Sequence, residues 1–147
     1  MADGRLEASS VQIDGQLSVA LNVSQVRAFF RENRQAGRIF IIQGEVQNLS
    51  TQVFQKILVQ GKLNDTQNNP IRQAVIYAGP SFSLDELREL SLQQIQSRLS
   101  SPLDSDNDGL PYMIEPGGNL PFMVVLANLP ENISDYLIEI VGWEAIE

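Results

Sequence analysis

The sequence predicts a mainly β protein: an antiparallel β-sandwich interrupted by a helical insert at about residues 83–100. Three observations point to it. Several segments alternate apolar and polar residues with period two, the signature of a half-buried strand. Clusters of Gly, Pro, Asn and Asp separate those segments at short spacing, as in sandwiches. A single stretch switches to helical period and carries helix-capping residues.

Residues 1–16 are polar and are expected to be a flexible lead; residues 17–147 are expected to form one domain. Alternation over 17–23 predicts a strand, and Val26, Phe29 and Phe30, less regularly spaced, predict either its extension or a short helical turn. Over 39–48, Phe40, Ile42, Gly44 and Val46 share one face. After a polar break at 49–52, Ile57, Val59, Gly61 and Leu63 do the same. Two strands across a short polar loop predict an antiparallel hairpin. Gly44 and Gly61 inside strands mark bulges or close packing of another backbone.

A turn at 65–70 leads to a strand over 71–77. Ser83 with Glu86, and Ser91 with Gln94, then form two capping boxes. Leu84, Leu87 and Leu90, and after them Leu92, Ile95 and Leu99, recur at helical spacing. These predict two short helices or one kinked helix, whose apolar stripe either docks a partner helix or, the simpler reading, covers an open end or edge of the sandwich. Residues 120–127 read as a central strand and 136–143 as the last, with Trp143 as a core plug.

Composition removes whole classes of chemistry. The chain has 147 residues, neither cysteine nor histidine, and a formal charge of −8. Thiol nucleophiles, thiolate metal sites, Ser-His pairs and histidine-ligated metals are excluded. The acidic balance disfavours nucleic acid and anionic membranes as partners. No apolar run is long enough to span a membrane as a helix, and no signal-peptide pattern opens the chain. Asp85, Glu86 and Glu89 are the carboxylates that a hydrolase would need; placed at a helix N-terminus, they are explained by the helix dipole instead. Arg27, Arg31, Arg34 and Arg38 pose a choice between an anion-binding or membrane-facing patch and a solvated segment, and the solvated segment is the simpler reading.

One stretch carries a ligand signature. Asp104-Ser105-Asp106-Asn107-Asp108-Gly109, with Glu115 further on, matches the pattern D-x-[DN]-x-[DN]-G-x5-E of a calcium loop. Calcium takes about six to eight oxygen ligands, and alternate side chains of a tight loop converge on one point. Asp104, Asp106, Asp108, the Leu110 carbonyl and Glu115 are the candidate ligands, with Tyr112 at the position where a water often intervenes. Pro102 before the loop and Pro116-Gly117-Gly118 after it forbid the flanking helices of an EF-hand. The expectation is an isolated calcium loop on a β protein, set against an ordinary acidic turn.

Three markers carry a family resemblance. They are Phe40-Ile41-Ile42-Gln43-Gly44-Glu45-Val46-Gln47-Asn48, then Val75-Ile76-Tyr77-Ala78-Gly79 with the leucine repeats after it, then Pro116-Gly117-Gly118-X-X-Pro121-Phe122-Met123-Val124-Val125. Over residues 38–143 the chain resembles an uncharacterised bacterial domain family found C-terminal to a zinc-ribbon and one transmembrane helix. The resemblance implies an immunoglobulin-like or fibronectin-like sandwich on the extracytoplasmic side of a membrane. It implies no catalytic residues. This chain then corresponds to a soluble part of a longer, membrane-anchored protein. The expected role is a non-enzymatic interaction or structural module with a protein partner; calcium binding, and then a carboxylate hydrolase, are the alternatives.

Overall fold

The computed structural model describes residues 21–146 in full and residues 8–13 as backbone. Its strands are β1 (Ala8–Ile13), β2 (Leu21–Asn33), β3 (Gly37–Asn48), β4 (Val53–Asp65), β5 (Pro70–Tyr77), β6 (Leu103–Asp104), β7 (Leu110–Pro111), β8 (Met113–Ile114), β9 (Asn119–Leu126) and β10 (Ile133–Ile146). The helices are α1 (Leu84–Glu89) and α2 (Leu92–Leu99). The chain is thus mainly β with antiparallel sheets, as its period-two segments predict. The first half of the strand predicted at 17–23 lies outside the described residues.

Strands β1, β10, β4 and β5 form one sheet in that order, with β8 paired to the start of β4. Strands β2, β3 and β9 form the other. All these pairs are antiparallel except β1 with β10, which run parallel. Residues 8–13, placed by sequence in a flexible lead, therefore supply an edge strand that satisfies backbone groups of β10.

The two sheets pack face to face. The Phe40 ring meets Tyr136 edge-on at 6.1 Å, and Val124 of β9 presses on the backbone at Gly61 of β4. Gly61 allows that approach: a Cβ there would lie 2.9 Å from Val124 Cγ1. One continuous core fills the space between the sheets.

Strands β3 and β4 are not a hairpin. They belong to different sheets, and residues 49–52 form an arch between them. Asn48, fully buried, shapes that arch. Its Nδ2 donates to the carbonyls of Gln52 (2.6 Å) and Ile114 (3.1 Å), and its Oδ1 accepts from the Ser50 amide and hydroxyl. Its backbone exchanges hydrogen bonds with Gly117 and Gly118. The arch, β8 and the Pro-Gly-Gly turn are thereby tied to one amide.

Four consecutive residues of β3, Ile39 to Ile42, are buried. A strand with one wet face would alternate, so both faces of β3 are covered. Phe40 and Ile42 point between the sheets. The outward side chains of β3 and β9 lie under the helices, which bury Leu87, Ile95 and Leu99. The helical insert was expected at an end or edge; it lies over the β2–β3–β9 face and also reaches an edge, where Gln96 Nε2 donates to the Val125 carbonyl at 3.2 Å. Both capping boxes form, and the helices break between them at Leu90 and Ser91.

Asn33 pins the insert in place. It is 3% exposed, its Nδ2 donates to the carbonyls of Leu87 (2.7 Å) and Leu90 (2.8 Å), and its Oδ1 accepts from the amides of Gln35 and Ala36. Trp143 is not the core plug that its place in the last strand suggested. It is 40% exposed, because β10 shifts register on both sides of Gly142 and runs past the core; Tyr136 fills the core instead.

Candidate functional site

The most informative surface begins with a defect in β2. Gln25 adopts φ +54°, and the β2–β3 register shifts between Ser24 and Arg27. Such a bulge adds a residue and reverses which side chains face in. Before it, Leu21 and Val23 point inward. After it, Ala28 and Phe30 do, with Phe30 packing at 4.9 Å on Phe40. Arg27, Phe29 and Arg31 are consequently turned to the outer face, beside the helical insert.

There they form one wall of a groove of about 510 Å³. The opposite wall is Phe82, Ser83, Leu84 and Leu87. Leu84 opens α1 but is 56% exposed, whereas Leu87 is buried. An adjoining groove of about 570 Å³ shares Arg27, Gln43 and Phe82 and continues past Glu45 to Pro121 and Met123.

The charge in this groove is set by how each arginine is held. With its amide oxygen toward Arg27, Gln43 accepts from Arg27 Nη2 at 2.6 Å and Nε at 2.7 Å. That partner is neutral, so Arg27 keeps its full charge and three of its five N–H donors. Arg31 stacks 4.6 Å above the Phe29 ring and donates to the Phe30 carbonyl at 2.9 Å. Neither arginine forms an ion pair among the described residues.

The other two arginines of the sequence cluster behave differently. Arg34 pairs with Glu89 at 2.9 Å, and Arg38 lies 3.8 Å from the centroid of the Phe30 ring. The cluster at 27–38 therefore divides into two groove cations and two structural ones. Phe29, Gln43, Phe82 and Leu84 were not singled out as site residues by sequence. The arginine–aromatic–arginine alternation at 27, 29 and 31 was the available signal, obscured by the bulge before it.

Asp85, Glu86 and Glu89 are each engaged with arginines: Asp85 with Arg88 (3.5 Å), Glu86 with Arg98 (3.0 Å), and Glu89 with Arg34 and Arg88. The Ser83 amide, then the Arg98 guanidinium, hold the Glu86 carboxyl below the ordinary glutamate range. Arg34 lowers Glu89 in the same way. These carboxylates belong to the helix cap and its ion pairs, and all three are spoken for along α1.

The acidic loop folds as a small hairpin. Strands β6 and β7 pair, Ser105–Asn107 make one 3-10 turn, and Asp108 and Gly109 turn the chain back at φ +55° and +72°. Asp104 Oδ1 accepts from the Asp106 amide at 3.0 Å, and the Gly109 amide donates to the Asp104 carbonyl. Asp104, Asp106, Asp108 and Leu110 thus share this hairpin. Glu115 lies beyond β8, in a separate turn closed by Gly118 N–H to the Glu115 carbonyl at 2.8 Å. Among the described residues, no three acidic side chains are gathered around one point as a metal would require. Tyr112 anchors the hairpin against Gly79, and burial, then the Asp104 charge, push its phenol up from the ordinary value.

Fold and surface together define a β protein of two packed sheets and a small hairpin, bearing an arginine-lined outer groove. The chain matches no family model, no curated protein and no solved structure.

Proposed function

We propose that the protein is a non-enzymatic interaction module with an immunoglobulin-like sandwich, acting on the extracytoplasmic side of a bacterial membrane as part of an anchored protein. The observation that carries the interaction reading is the outer groove. Among the described residues it leaves two cations without carboxylate partners and one exposed leucine, in a protein whose other helix-side arginines are ion-paired. A charge left unneutralised beside apolar surface favours recognition over stability. The face-to-face sheets support the sandwich reading, and the three sequence markers support the extracytoplasmic setting. A long polyanion such as nucleic acid would meet the −8 charge of the whole chain, whereas a short protein segment meets the groove alone, so a protein partner suits it better.

Photo-crosslinking from position 84 of the full-length protein in its native membranes tests this. The reading expects discrete protein adducts that disappear when crosslinking is moved to position 75 on β5. Adducts of equal pattern from both positions would count against a dedicated surface.

Calcium binding by the 104–115 loop is a separate reading, favoured by the sharp turn at Asp108 and Gly109 that brings three aspartates into one hairpin. It requires Glu115 to leave its turn. Calorimetry with millimolar calcium tests it: heat abolished by Asp106→Ala supports it, and no heat removes it.

A further inference from the structure

Resting on the interaction reading above, we propose that the groove between β2 and α1 takes an extended, acidic peptide segment of a partner protein, with the pattern acidic-x-apolar-x-acidic. Three features lead to this occupant. Arg27 and Arg31 lie four residues apart on the same face of one strand, roughly 13 Å along it. An extended peptide has the same two-residue repeat, so carboxylates four residues apart meet both guanidiniums together. Phe29 lies between the arginines and exposed Leu84 lines the same groove, offering apolar surface for the residue midway between the carboxylates.

Charge complementarity selects the sign. The α1 carboxylates are engaged with Arg34, Arg88 and Arg98, and Glu45 lines the adjoining groove rather than this one. Arg27, braced by Gln43, presents its remaining donors with little loss of side-chain freedom on binding, which favours a bidentate carboxylate. A basic segment would meet two cations that no described carboxylate pairs with, and be rejected.

The test is fluorescence anisotropy with a labelled peptide of core Asp-Ser-Leu-Ser-Asp and a control in which both Asp are Asn. The wild-type chain is expected to bind the acidic peptide, to bind the control roughly tenfold more weakly, and to lose affinity as salt is raised. Arg27→Gln and Arg31→Gln each weaken the acidic peptide roughly tenfold, the scale of one charged hydrogen bond. Leu84→Ala weakens both peptides, and Arg72→Gln, remote from the groove, weakens neither. Circular dichroism melts within a few degrees of wild type establish that the variants are folded. Equal binding of the acidic and control peptides, or affinity unchanged in both groove-arginine variants, overturns the proposal. So does binding to anionic phosphatidylglycerol vesicles with no binding of the peptide. Crosslinked protein adducts from position 84 that persist in Arg27→Gln/Arg31→Gln would leave the interaction reading standing and this occupant refuted.

Discussion

The ring of Tyr112 lies directly on the backbone of Gly79. A Cβ at position 79 would overlap the ring carbons, and Gly79 also holds φ +128°, a conformation that side chains disfavour. Its amide donates to the Pro121 carbonyl at 2.7 Å. One glycine thus joins the end of β5, the edge of β9 and the acidic hairpin.

Gly79→Ala should therefore destabilise the protein by about 3 kcal/mol, combining left-handed strain with overpacking. Denaturant unfolding measures this. Adding Tyr112→Ala should restore part of the loss, because it removes the overlap and leaves the backbone strain. A double variant no better than additive would mean that the ring does not rest on Gly79.

Asn33→Ala should cost about 2 kcal/mol, since the carbonyls of Leu87 and Leu90 and two turn amides lose their partner. The loss should be local first. Amide hydrogen exchange is expected to accelerate in α1 and α2 while β4 and β10 stay protected. Asn48→Ala should cost about 3 kcal/mol, since the Gln52 and Ile114 carbonyls and the Ser50 amide lose their partner, and should instead loosen the arch, β8 and the turn at Gly117.

Acid should weaken the helical insert. The Ser83 amide and Arg98 depress the Glu86 carboxyl, and Arg34 depresses Glu89, below the ordinary value of 4.5. Both groups bind protons less readily when folded. Their stabilisation is present above about pH 4.5 and is lost as pH falls through the lowered folded values. Stability measured against pH should decline on that acid limb, and Glu86→Gln should flatten the decline. An unchanged slope would mean that the cap and the Arg98 pair add nothing to folding.

The β-rich class and the insert were legible for clear reasons. Period-two alternation survives wherever one face is buried, and each capping box at Ser83 and Ser91 fixes a helix start within four residues of chain. That β3 and β4 lie in different sheets was not legible. A short polar break looks the same in a hairpin and in an arch between sheets; what decides is the Asn48 network, whose partners lie as far away as Ile114. The double burial of β3 was hidden because it depends on helices some fifty residues later, at Leu87 to Leu99. The groove was half legible. Its arginines stood out, but the bulge at Gln25 that turns Arg27, Phe29 and Arg31 outward has no obvious signature in residue type.

The proposed working surface of the protein is the outer groove of β2 and α1. An NMR titration of the isotope-labelled chain with the Asp-Ser-Leu-Ser-Asp peptide tests that most directly. The account predicts shift changes concentrated at the amides of Arg27, Phe29, Gln43, Phe82 and Leu84, with the Arg27 and Arg31 side-chain signals moving as well. Changes centred on the 104–111 hairpin or along β5, with the groove residues still, would contradict it.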